Sequence, residues 1–109
     1  MTVMRHRGMA LLVRPERVEA ALWRAFRRDQ GDAARQRLFD RYQPFARRLA
    51  AAQYARRAVG GFERTDIEQL AYEALLQAIP RFDPARGVPF EGFVRRRILG
   101  HISNGLAQM

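Results

Sequence analysis

The 109-residue chain contains neither cysteine nor lysine. The first absence excludes disulfides, thiolate zinc sites and cysteine nucleophiles, and it fits a cytoplasmic protein. The second leaves arginine as the only basic side chain beside two histidines. Twenty arginines face eleven acids, for a net charge of +9. Long apolar runs are also missing: none approaches the ~18–20 residues that cross a bilayer, so no membrane partner is expected. The opening "MTVMRHRGMALLV" places arginines before an apolar patch too short for a signal peptide, with no cleavage-site pattern. Residues 1–14 are expected to form a flexible leader. No segment alternates like a strand, and no turn carries hairpin chemistry.

Catalytic constellations are scarce as well. His6 and His101 lie far apart, with no helical His-x-x-x-His. Glu68 and Glu73 stand ~140° apart around a helix, which separates them as an acid–base pair. The glycines at Gly87 and Gly92 have phosphate-loop spacing, but no Lys-Ser/Thr follows them. The chain is therefore read as a non-enzyme, with no metal and no cofactor.

What is present is helical periodicity. Apolar residues make up 48% of the chain, enough for one small core. A first helix begins at Arg14-Pro15, with Val18, Ala21, Leu22 and Phe26 on its apolar side. Asp32 is the expected cap of a second helix running to about Arg57. Its stripe is Leu38, Phe39, Tyr42, Phe45, Leu49 and Ala52, with a kink or break at Pro44. Gly60 and Gly61 end it. Thr65 and Glu68 fit a capping box for a third helix, whose stripe is Ile67, Leu70, Ala71, Ala74, Leu75, Ala78 and Ile79. Pro80 ends or distorts that helix. A fourth starts at Pro89, with Phe90, Phe93, Val94, Ile98, Ile102 and Leu106 inward. The fold class is all-α, a small bundle of three to four helices.

Charge is uneven along the chain. Residues 1–50 hold twelve arginines and five acids; residues 51–109 hold eight and six. A basic chain of this size is expected to meet a polyanion, nucleic acid before any other. Within it, Asp66, Gln69 and Glu73 share one side of the third helix, apart from the apolar stripe. They form either a solvated face or a surface for a basic partner. Arg95, Arg96 and Arg97 point in successive directions ~100° apart, so at least one is expected near the core boundary. Glu91 is placed to pair with Arg95. Phe90 and Phe93 just before them are either core residues or rings for stacking unpaired bases, with guanidinium groups on phosphate.

The stretch "DIEQLAYEALLQAIPRFDPARGVPFEGFVRRRILGHISNGL" resembles region 2 of the bacterial sigma-70 family of RNA polymerase sigma factors, and looks most like its motility class. Asp66, Gln69, Leu75, Ala78, Arg81, Phe82, Asp83, Gly87, Phe90, Phe93, Arg97, Ile98, Gly100 and Ile102 fall on the family pattern without a gap. Upstream, "RLFDRYQPFARRLA" is similar to region 2.1. The chain departs from the pattern at Glu91-Gly92-Phe93-Val94, where Ser/Thr-Thr-Tyr-Ala is common. Arg96 and Arg97 stand where housekeeping members carry tryptophans. Leu70 and Ala71 replace a polar–glycine step.

The resemblance implies a helical domain over residues 15–109, covering regions 2.1 to 2.3 and the start of 2.4, with no region 4. It implies docking on the β′ clamp helices of core RNA polymerase through Asp66, Gln69, Leu70, Glu73 and Leu76. It implies recognition and opening of the promoter −10 element, with the non-template single strand held by Phe90, Phe93, Arg96, Arg97, Gly100, Ser103 and Asn104. The alternative is a sigma-like interaction module that binds polymerase or an anti-sigma factor without promoter activity.

Overall fold

The computed structural model describes residues 14–57 and 60–109; the expected leader, apart from Arg14, lies outside them. Four α-helices make up the fold: α1 (Pro15–Asp29), α2 (Asp32–Arg56), α3 (Arg64–Ala78) and α4 (Phe90–Ala107). Two short 3-10 turns, Ile79–Arg81 and Pro84–Arg86, join α3 to α4. Among the described residues there is no strand, and no helix is long and apolar enough to cross a membrane.

Proline opens α1, where its missing N–H would be unpaired in any case. The helix stops at Gln30, which takes a left-handed conformation (φ 53°) and returns its N–H to the Phe26 carbonyl at 2.6 Å. The buried line of α1 differs from the expected one. Trp23 and Phe26 are buried, Val18 and Leu22 are half-buried, and Ala21 is exposed. The inward line runs through Glu19, Trp23 and Phe26, one residue away from the aliphatic stripe.

Gly31, not Asp32, caps α2. Asp32 already lies in the first turn, where its carboxylate pairs with Arg35 at 2.8 Å. The core side of α2 is Ala34, Leu38, Tyr42, Ala46, Leu49 and Ala50; Phe39 and Phe45 are half-buried and Ala52 is exposed. Pro44 does not break the helix. Both Pro44 and Asp40 are exposed. The carbonyl that loses its amide partner therefore faces water, while Tyr42 and Ala46 stay packed on the other side.

The capping box of α3 sits two residues upstream of its expected place. Glu63 is the cap, and its N–H donates to Asp66 Oδ2 at 3.1 Å. Thr65 lies within the first turn. Glu68, freed from capping, approaches Arg47 at 3.9 Å. At Pro80, which cannot donate to the α3 ladder, the helix gives way to the first 3-10 turn. Gly87 (φ 79°) closes the second turn and Pro89 caps α4.

The core is aliphatic where α3 and α4 meet α2: Leu38, Ile67, Leu75, Ile79, Val94, Ile98 and Ile102 are all fully buried. Gly105 of α4 touches Leu70 of α3 so closely that a Cβ there has no room. Leu70 is therefore half-buried between the two helices.

Candidate functional site

The first two turns of α4 divide its aromatic pair. Phe90 is 2% exposed, with Tyr42, Trp23 and Phe82 ring centroids at 4.4, 5.1 and 5.1 Å. Its ring is closed off in the free domain, which favours the core alternative for Phe90 over the base-stacking one. Burial of its whole ring makes it an anchor. Phe93, three residues on, is half-buried. Its inner side leans on Phe82 at 5.3 Å and Phe90 at 6.2 Å. Arg97 lies over its face with the guanidinium carbon 4.8 Å from the centroid, a cation–π contact.

Arg95, Arg96 and Arg97 are all exposed, but Arg97 lies against Phe93 at the edge of the core, as expected of at least one of the three. Their long stems let each head stay in water while the backbone packs. Glu91 and Arg95 form no ion pair; the ion pairs among the described residues lie elsewhere. Among the described residues, none of these three guanidinium groups has an ion-pair partner.

Two depressions flank Arg96. One, of about 390 Å³, lies among Val88, Pro89, Gly92, Phe93 and Arg96. The other, of about 260 Å³, lies at the α3–α4 seam and is lined by Gln77, Arg96, Arg97, Gly100, His101 and Asn104. Four of the seven expected nucleic-acid residues thus share the second depression, and Phe93 joins Arg96 in the first. Ser103 is exposed outside both. Gln77 and His101 were not foreseen, because they matter only once α3 and α4 are side by side.

The glycines of this face have no packing role. A Cβ built at Gly92 or Gly100 meets nothing within 4 Å. Glycine inside a helix costs ~1 kcal/mol relative to alanine, and no neighbour in the chain accounts for either one. Both keep the backbone open beside the depressions.

The outer side of α3 is less uniform than its spacing suggests. Asp66 is taken up by the helix cap. Gln69 is exposed. Leu70 packs against Gly105 and is half-buried, so it offers part of its surface on the outer side of α3. Glu73 leans toward α4, where Oε1 lies 3.0 Å from His101 Nε2, with 45% of its side chain still open. Leu76, 41% exposed, overlooks a depression shared with Asp32, Arg35 and Gln36 at the start of α2. Of the residues expected to dock, Gln69 and Leu76 are exposed, while Asp66, Leu70 and Glu73 are half-buried.

One buried polar group was missed. Trp23 Nε1 donates to the Tyr42 hydroxyl at 3.2 Å, and that hydroxyl donates to Glu19 Oε2 at 2.7 Å. Arg41 closes on Glu19 at 3.6 Å. Burial pushes the Tyr42 phenol well above its ordinary value; the Trp23 N–H opposes this, and the bond to Glu19 adds to it. The chain's single tryptophan was the available signal. Among the described residues, no cluster of three histidine or acidic side chains could hold a metal.

Such an arrangement defines a helical binding domain: an arginine-rich, partly aromatic face on α4 and a mixed polar and apolar face on α3. The family model for sigma-70 region 2 matches residues 38–108, and the chain belongs to that family, whose domains act in transcription initiation without being enzymes. Its partners as a family are core RNA polymerase and promoter DNA. No curated protein and no solved structure matches the chain.

Proposed function

We propose that this domain docks on core RNA polymerase through the outer side of α3 and holds the unpaired non-template strand of a −10 element along α4. One observation carries the reading: Phe93 presents a half-open ring under Arg97 and beside Arg96, at the edge of a depression floored by Gly92. A base stacks on that ring by taking the place of the Arg97 guanidinium, and base–aromatic stacking contributes ~1–3 kcal/mol per base. Arg96 and Arg97, which line the depressions, suit phosphate, and Gly92 and Gly100 leave the backbone open to close approach. Duplex DNA hides its base faces, so preference for an unstacked strand favours opening through binding energy alone.

On the other side, Gln69, Glu73 and Leu76 offer a hydrogen-bonding amide, a carboxylate and an exposed apolar anchor. That combination suits a helical partner, here the β′ clamp helices. Likeness to the motility class rests on the sequence motifs and is not needed for this reading.

The test uses the full chain with a fluorescent single-stranded oligonucleotide and, separately, core polymerase. Phe93→Ala and Arg96→Ala are expected to weaken single-strand binding about tenfold, as loss of one stacked ring or phosphate contact does, and to leave polymerase binding unchanged. Gln69→Ala with Leu76→Asp should do the reverse. Single-strand affinity unmoved by either α4 variant would sink the nucleic-acid reading. Polymerase docking without any single-strand binding would leave the interaction module in its place, with an anti-sigma factor as the next partner to try.

A further inference from the structure

Helix α1 ends at Asp29, and the family match begins at residue 38. Its Trp23 nevertheless reaches the centre of the aromatic group that supports α4. The indole is 4% exposed. Its ring centroid lies 4.9 Å from Phe82 and 5.1 Å from Phe90, both tilted at 53°. The Nε1 bond to Tyr42, which in turn donates to Glu19, fixes the direction in which the indole points. Glu19 and Trp23 sit one turn apart on α1, so a single helix supplies both the ring and the group that orients it.

Phe82 and Phe90 are also the two rings behind Phe93. Trp23 makes no ring contact with Phe93 itself. It stands behind the rings that stand behind Phe93, and Arg97 covers the outer face. The loop before α4 is held in the same way. A depression of about 220 Å³ on the α1 side is lined by Trp23, Phe82, Val88 and Pro89 among others. The depression beside Phe93 is lined by Val88 and Pro89 as well. These two residues thus link the depression at Trp23 with the one at the candidate nucleic-acid face.

We propose that Trp23 is a positioning residue for that face: by fixing Phe82 and Phe90 it holds Phe93, Val88 and Pro89 in the pose that presents a ring to an unpaired base. The proposal rests on the reading of α4 as the nucleic-acid surface. It makes α1 part of the binding apparatus. It also means that occupancy of the Phe93 side and seating of α1 favour one another, since linkage is reciprocal.

The test uses the full chain labelled with 4-fluorophenylalanine, with the Phe93 fluorine resonance assigned by Phe93→Leu. Trp23→Leu removes the indole, Trp23→Phe keeps a ring in its place, and Leu49→Ala is a core change outside the aromatic group. All are measured at a temperature where circular dichroism shows each folded. Trp23→Leu is expected to shift or split the Phe93 resonance without DNA. It should also weaken single-strand binding about five- to tenfold, the size of one or two lost aromatic contacts.

Added to Phe93→Ala, Trp23→Leu should cause no further loss, because the two act through one ring. Trp23→Phe should give the same pattern in smaller size, and it carries the test if the leucine variant does not fold. Leu49→Ala should move neither readout. A Phe93 resonance unmoved by both Trp23 variants overturns the proposal. So does a moved resonance with unchanged affinity in a chain whose parent binds the strand. If the parent binds no single strand, the nucleic-acid reading fails, and the Phe93 resonance alone decides whether Trp23 positions that ring.

Discussion

The two ends of the bundle are held by different physics. Where α3 meets α4, the contact is aliphatic and close: Ile67, Leu75, Ile98 and Ile102 fill it, and Gly105 lets Leu70 approach the helix backbone. Where α1 meets the start of α4, the contact is made of rings and of a Trp–Tyr–Glu chain of hydrogen bonds that is buried at Trp23 and Tyr42 and opens to solvent at Glu19. Aliphatic packing tolerates small rearrangement, since Leu and Ile re-pack with little directional preference. Rings and buried polar groups are directional, and losing one partner strands the other. The arginine face of α4 begins at the aromatic end and continues along the aliphatic one. Its first turn is thus the more precisely fixed part, and that is where Phe93 sits.

The largest test of this contrast compares two phenylalanines three residues apart. Phe90→Ala removes a fully buried ring that four others touch, and should cost about 3–5 kcal/mol of folding stability in denaturant titration. Phe93→Ala removes a half-open ring and should cost less than half as much, while taking most of the single-strand affinity. Equal stability losses at the two sites would show that they are not divided between core and surface.

The glycines of α4 give a second comparison, smaller and opposite in sign. Gly105→Ala drives a methyl group into Leu70 and should destabilise by about 1–2 kcal/mol. In a Leu70→Ala background the same change should become neutral or favourable, because helix propensity then acts alone. Gly100→Ala meets no neighbour and should raise stability by up to ~1 kcal/mol. Thermal melts of the parent and the four variants decide it. If Gly100→Ala also weakens single-strand binding, the open backbone at Gly100 serves the ligand.

Much of the fold was legible because helices advertise themselves through spacing. The inward row of α3 (Ile67, Ala71, Ala74, Leu75 and Ala78) and that of α4 were readable from periodicity, and Pro80 marked the change of ladder. The errors have local causes. Thr65 and Glu68 fit a capping box, but Glu63 and Asp66 offer the same chemistry two residues earlier and the chain uses those. Val18 and Leu22 outlined a stripe on α1, but the helix rolls so that Trp23 faces inward, because an indole hides more apolar surface than a valine. At the site, spacing identified which residues of α4 are outward. It could not divide Phe90 from Phe93, since that depends on Trp23, Tyr42 and Phe82 arriving from three other segments. Nor could it show that Leu70 is occupied by Gly105, or that Gln77 and His101 meet Arg96 and Asn104 at one seam.

The smallest test concerns the buried polar chain. Tyr42→Phe keeps the ring against Phe90 but removes the acceptor of the Trp23 N–H and the donor to Glu19, and should cost about 1 kcal/mol. Its pH dependence is more telling than its size. Burial raises the Tyr42 phenol above the 10.0 of an ordinary tyrosine, so the folded chain holds that proton more tightly than the unfolded one. The stability this contributes is complete below about pH 10, and is lost as pH rises through the range where the unfolded tyrosine ionises and the folded one does not. Denaturation midpoints followed from pH 8 to pH 11 should therefore fall more steeply for the parent than for Tyr42→Phe, and the gap between the two proteins should narrow as pH rises. A gap that stays constant would mean that the hydroxyl is not the group whose proton the aromatic end protects.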